Sequence, residues 1–221
     1  MRVKITLTFE KLVIPVGYQH IIQGFIYNNL EKNSTYYHDL KGISVFNFSE
    51  LFGKKTKLEN TLVFDNLMYF YLSTYDLNFL ISITSGLLHK HLSFFRQNVY
   101  CSDIDVVDDC ITASMIEFKT LSPVTIHTTE EKKTIYYKPS DPKFLEYINR
   151  NLSHKLGSEV SIILNVEKEK KYLTKFKNLI IIEAYYLEGT IIADPKVLKC
   201  ILDVGLGDRN SQGFGMIEIK K

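Results

Sequence analysis

The spacing of apolar residues changes along this chain in one order, and that order occurs twice. Val3, Ile5, Leu7 and Phe9 alternate with Arg2, Lys4, Thr6 and Thr8, which is the period of a strand with one buried face. Tyr18, Ile21, Ile22, Phe25 and Ile26 then fall at helical spacing and predict an amphipathic helix over about 17–32. Residues 61–74 read as a hairpin turning at Asp65-Asn66. Asp76 is placed to cap a helix carrying Leu77, Leu80, Ile81, Leu87 and Leu88, and strand-like segments follow at about 91–95 and 98–107.

The second half repeats the order. Ile111 to Lys119 is strand-like, and Pro123 to Lys138 reads as an inserted hairpin. Asp141-Pro142 opens a helix with the stripe Phe144, Leu145, Ile148, Leu152 and Leu156, and Gly157 fits its C-terminal cap. Alternating stretches at Val160–Val166 and Leu179–Tyr185 follow. Asp194-Pro195 then opens a helix that Gly205 ends, and a last strand covers about Phe214 to Ile219. Strand, helix, strands, helix, strand is the ferredoxin-like order that RRM domains share. The expected fold is therefore α+β, with two tandem ferredoxin-like domains at 1–109 and 110–221. No Gly/Ser- or Pro-rich linker marks the division near Asp108–Ile111, so the halves are expected to pack closely.

With 221 residues, 45% of them apolar, each half can bury its own core. The net charge of +2 is too small to mark a polyanion binder, so local clustering has to decide. Cys101, Cys110 and Cys200 form no CxxC pair and suit a reducing compartment. The alternating N-terminus lacks the apolar core of a secretion signal, and no apolar run approaches the roughly 18 residues of a membrane span. A cytoplasmic location without membrane partners is expected.

The densest signal is Gly205-Leu206-Gly207-Asp208-Arg209-Asn210-Ser211-Gln212-Gly213-Phe214-Gly215. Gly205, Gly207, Gly213 and Gly215 would let the backbone approach a ligand and expose N–H groups to phosphate, with Arg209, Asn210 and Ser211 adding donors. A plain helix-to-strand connection is the simpler alternative. The segment is no dinucleotide fingerprint, because it lacks the third glycine and follows a helix. No cofactor motif occurs. Lys168, Lys170, Lys171, Lys175 and Lys177 interleave with Tyr172 and Phe176, a pattern that suits phosphates and bases, although a solvated hairpin tip would look the same. Lys54, Lys55 and Lys57 form a smaller patch.

His38, in Tyr36-Tyr37-His38-Asp39-Leu40, could move protons at an RNA 2′-hydroxyl, with the Tyr27 phenol nearby. His20 shares Tyr27's helix face, seven residues earlier. His89, His91, Cys101 and Cys110 match no zinc spacing. Asp103, Asp105, Asp108 and Asp109 read as a solvated edge rather than a magnesium site, so no metal is expected.

Four segments together resemble a known family. They are Ile22-Gln23-Gly24-Phe25-Ile26-Tyr27-Asn28, Tyr37-His38-Asp39-Leu40-Lys41-Gly42, Leu121-Ser122-Pro123-Val124 and Val204 through Met216. In these the chain is similar to the CRISPR-associated repeat-RNA-processing endoribonucleases of the Cas-six family. The resemblance implies a precursor CRISPR RNA substrate cut within each repeat without metal, by 2′-hydroxyl attack that leaves a 2′,3′-cyclic phosphate and a 5′-hydroxyl. It also implies His38 as general acid–base with Tyr27 as its partner. Well-studied members carry a lysine several residues past the histidine. Here the position six residues on is Ser44, so Lys41 is the nearest candidate for that charge. The expected partner is CRISPR repeat RNA, with other subunits of an effector complex as further partners, and the expected state is monomer or homodimer. The alternatives are a noncatalytic repeat-RNA-binding subunit or a structural assembly protein.

Overall fold

The computed structural model describes residues 1–31, 37, 44–108, 110–131, 133–177 and 180–220. The first half runs β1 (Arg2–Pro15), α1 (Gln19–Asn28), β2 (Phe46–Phe48), β3 (Lys55–Leu58), β4 (Thr61–Thr74), α2 (Leu77–His89), β5 (Leu92–Phe94) and β6 (Gln97–Val107). The second runs β7 (Met115–Thr120), β8 (His127–Glu130), β9 (Lys133–Tyr136), α3 (Pro142–Leu156), β10 (Ile163–Phe176), β11 (Ile180–Ile192), α4 (Pro195–Val204), a 3-10 turn (Asn210–Gln212) and β12 (Ile217–Ile219). In the first sheet β1 lies between β4 and β6, and in the second β7 lies between β11 and β12, all antiparallel. This is the ferredoxin-like arrangement in each half.

Local chemistry sets the element ends. The Asp76 carboxylate accepts from the N–H groups of Asn78 (2.8 Å) and Phe79 (3.1 Å) at the start of α2. Asp141 and Asp194 cap α3 and α4 in the same way, each followed by proline in the first turn. Gly157 closes α3 at φ +65°.

One expectation is corrected and one alternative falls. Residues 61–74 are one long strand rather than a hairpin. Asn66, at φ +61°, sits in a bulge where the pairing of β1 jumps from Thr8↔Leu67 to Lys11↔Asp65. The real turn lies at Glu59-Asn60, between β3 and β4. The hairpin-tip alternative for the lysine run falls. All but Lys177 lies within β10, paired with β11 along its length.

Each half has its own core. Ile5, Leu7, Ile22, Phe25, Phe70 and Phe79 pack in the first, and Phe118, Phe144, Ile148, Ile191 and Leu198 in the second. Burying one such side chain stabilises the fold by about 1.5–3 kcal/mol. A small third cluster of Phe176, Ile182, Ala184 and Phe214 completes the interior. Polar contacts join the halves. Arg2, on the polar side of the strand pattern, is only 3% exposed, and its guanidinium donates to the carbonyls of Ile217 (2.7 Å) and Leu202 (3.3 Å). The Gln19 amide donates to the Tyr172 hydroxyl at 2.9 Å, and Tyr186 donates to the Glu50 carboxylate. No described helix is long and apolar enough to cross a membrane.

Candidate active site

Helix α1 turns two faces in opposite directions. Ile22, Phe25 and Ile26 enter the first core, while His20, Gln23, Gly24 and Tyr27 recur at helical spacing along an open cleft of about 390 Å³. Tyr37, Ser44 and Phe46 line the cleft from the same half, and Lys177 and Ser211 from the second half. His38 and Lys41 lie outside the described residues. Tyr37 and Ser44, the described residues on either side of that segment, both line the cleft.

The Tyr27 ring stands edge-on to Phe46, with centroids 5.5 Å apart. Burial pushes its phenol above the ordinary tyrosine range, so near neutral pH it stays protonated and is able to donate. Tyr37 packs edge-on against Phe79, and its hydroxyl donates to Asp76 at 3.2 Å. Burial pulls the His20 imidazole below its ordinary value. The Gly17 backbone opposes that effect and the Lys177 charge adds to it. His20 rests edge-on against Phe176, with centroids 6.0 Å apart.

The glycine segment differs from the exposed phosphate cradle its composition suggested. All four glycines are buried. The N–H groups of Leu206, Asp208 and Gly215 donate to Gly215, Thr125 and Pro123 carbonyls inside the protein. A methyl group on Gly213 would stand 2.3 Å from the Phe48 ring, and one on Gly205 2.1 Å from the Asn47 amide. Gly205 and Gly213 therefore let this loop close against β2 of the other half. Asn210 is buried too, its amide donating to Leu206 and Phe214 carbonyls. Only part of the loop faces outward: Ser211 lines the cleft, and Arg209 is half-buried beside His127 and Gln212.

Three groupings escaped the sequence reading. Lys155 is partly buried, donating to the carbonyls of Gly205 (2.9 Å) and Gly207 (3.3 Å) and to the Asn210 amide oxygen (2.8 Å). Burial lowers its ammonium to about 8. Its position three residues past Leu152, on the apolar stripe of α3, was the available signal. His127 sits between Asp208, 2.9 Å from Nδ1, and Arg209, 3.4 Å from Nε2. The third grouping is aromatic: Phe52 stacks on Tyr69 at 5.3 Å, Tyr71 stands edge-on to both, and the Lys4 ammonium lies 4.9 Å from the Tyr69 ring centre. Strand register brings these rings together, and no single segment of sequence contains them.

The lysine run is divided by the pleat. Lys168 and Lys170 line a shallow groove with Lys119 and Tyr186, and Lys168 pairs with Glu188 at 3.3 Å. Lys171 pairs with Glu183 at 2.7 Å, and Lys175 is exposed. Lys177 belongs to the cleft. Among the described residues no three His, Cys, Asp or Glu side chains gather as a metal site would require.

Fold and cleft define a class: two RRM-like halves closed around a cleft with an imidazole, phenols and an ammonium, and no carboxylate among its described lining residues. The comparisons agree with that class. The family model "CRISPR-associated protein Cas6, N-terminal" matches residues 13–104, and "CRISPR associated protein Cas6, C-terminal" matches residues 102–219. The chain belongs to the Cas6 family. It is 26% identical to the CRISPR-associated endoribonuclease Cas6 of Pyrococcus furiosus, over 94% of this chain and 84% of that protein. It is 25% identical to the CRISPR-associated endoribonuclease Cas6 1 of Methanocaldococcus jannaschii, over 98% and 92%. A solved structure described as CRISPR associated protein Cas6 superimposes with a TM-score of 0.85 at 23% identity, over 100% of this chain and 99% of that one.

Proposed function

We propose that this protein cuts precursor CRISPR RNA within its repeats, in the cytoplasm and without a metal ion. The observation that carries this reading is the cleft, where Tyr27 and His20 meet Lys177 and Ser211 from the other half and where both flanks of the His38 segment end. In the proposed reaction the 2′-hydroxyl of one nucleotide attacks the adjacent phosphorus. The O2′–P bond forms, the P–O5′ bond breaks, and O5′ takes up a proton. The products carry a 2′,3′-cyclic phosphate and a 5′-hydroxyl. His38 moves the protons and Tyr27 holds the reacting group through its protonated phenol, with Lys41 close to them. Lys168 and Lys170 follow the RNA backbone, Lys171 and Lys175 add charge at the edge, and Arg209 and Ser211 contact RNA from the loop that the buried glycines hold in place. The division of the chain near Asp108–Ile111 is part of this reading, which makes the cleft an interdomain site.

The test is incubation of the purified protein with its own repeat RNA in EDTA, followed by analysis of product ends. Cyclic-phosphate and 5′-hydroxyl termini are expected, and a strict need for added metal would overturn the chemistry. His38→Ala should abolish cleavage and leave repeat binding close to wild type. If that variant cuts at full speed, His38 has no part in the mechanism. A wild-type protein that binds the repeat and never cuts it would be an RNA-holding subunit instead.

A further inference from the structure

We propose that Lys177, reaching in from the second half, supplies the positive charge that stabilises the phosphorane in the cleft. The inference rests on the RNA-cleavage reading above and assigns that site's electrostatic group. Lys177 lines the same cleft as Tyr27, His20 and Ser211. It is the one lysine among the described lining residues, and those residues include no carboxylate to neutralise it. Two other lysines of the run differ in this respect, because Lys168 and Lys171 are paired with Glu188 and Glu183. Ser44, another lining residue, offers no cation.

The backbone that carries this exposed side chain is held in place. Lys177 follows β10 directly and takes a left-handed backbone conformation, φ +51°, which turns the chain at that point. Buried Phe176 anchors the preceding residue against His20. At Gly17, just before α1, a methyl group would stand 2.6 Å from the Lys175 carbonyl oxygen, so the end of β10 is pressed against the start of that helix. The Lys177 charge reaches His20 and helps to lower its affinity for a proton. An ammonium carried into a cleft lined by a phenol and an imidazole, with no acid among its described residues, matches the charge that grows on the non-bridging oxygens as O2′ attacks phosphorus. No bond forms to Lys177 and no proton is taken from it.

The experiment is single-turnover cleavage of repeat RNA at saturating protein, with binding measured in parallel. Lys177→Gln should cut about 100-fold more slowly than wild type, the loss typical of removing one transition-state donor, with Kd changed less than about threefold. Lys177→Arg keeps the charge and should recover most of the rate. A Gln variant that cuts within about threefold of wild type at saturation overturns the assignment, whatever its affinity. An Arg variant no faster than Gln overturns it as well, because charge would then not be what matters. If Lys177→Gln does not fold, as judged by circular dichroism, Lys177→Met keeps the length of the side chain and is read in the same way. A wild-type control that fails to cut sinks the cleavage reading itself, whereas a cutting wild type beside an equally fast Gln variant sinks only the role of Lys177.

Discussion

Ser211 lines an open cleft, while Gly213, two residues on, has no room for a single methyl group. The cleft and the glycine joint meet in this one loop and are built in opposite ways. In the cleft, Tyr27 and Lys177 line open space, and nothing lies within 4 Å of where a Gly24 Cβ would stand. In the joint, carbonyls, amides and the Lys155 ammonium pair with one another and the glycines fill the remaining space with backbone. The comparison teaches that the most unusual composition in the chain marks a packing problem. The chemistry comes from residues that are ordinary in sequence and are collected by the fold.

The largest expected effect breaks the joint. Gly213→Ala puts a methyl group against the Phe48 ring at φ +85°, where an L side chain is already strained. A loss of about 3 kcal/mol or more is expected, combining overpacking with backbone strain. Urea denaturation monitored by circular dichroism measures it. A midpoint close to wild type would mean that the loop is free to move away from β2.

Next comes the ammonium inside the joint. Lys155→Met leaves the Gly205 and Gly207 carbonyls and the Asn210 amide oxygen without that donor, and a loss of about 2 kcal/mol is expected. The pH dependence has a definite sign. The folded pKa of about 8 lies below the ordinary lysine value, so between these two the unfolded chain holds the extra proton. This group therefore makes the fold more stable as pH rises from 8 toward the ordinary lysine value, and that slope should vanish in the Met variant. His20 follows the same rule at lower pH, since its depressed pKa removes stability as pH falls through the ordinary histidine value and below.

The elements were legible wherever local chemistry decides them. Asp76, Asp141 and Asp194 announced three helix starts, and period-two alternation announced β1 and β11. Asp65-Asn66 misled because a bulge and a turn draw on the same residue types. The grouping of the candidate site was legible only along α1, where His20 and Tyr27 share a helical face, while Lys177 and Ser211 stood out singly. Lys177 and Ser211 come from distant parts of the chain and reach that face through strand pairing and domain packing. No local pattern encodes those contacts.

A chemical probe of the cleft comes third in size. Tyr27→Phe keeps the edge-on contact with Phe46 and removes only the hydroxyl. A fall of about tenfold in single-turnover rate is expected, the value of one hydrogen bond to a charged group, with the fold unchanged. Because burial raises the phenol pKa, the wild-type rate should show no loss below pH 10 traceable to Tyr27 ionising. If the Phe variant retained such a loss, the titration would belong to another group.

The smallest effect is the same substitution made on the other side of the comparison. Gly24 lies on α1 with no positive φ and no neighbour in reach of an added Cβ. Alanine there removes backbone freedom from the unfolded chain, so Gly24→Ala should stabilise the protein by about 0.5–1 kcal/mol, opposite in sign to Gly213→Ala. Cleavage should stay near wild type, since a methyl group takes little of a 390 Å³ cleft. Gly24→Leu extends further into the same space and should keep the added stability while cutting the repeat more slowly. That separation of stability from rate is what a ligand-filled cleft predicts. A Leu variant as fast as wild type would place the RNA elsewhere, because the wall that carries Tyr27 would then have been obstructed without consequence.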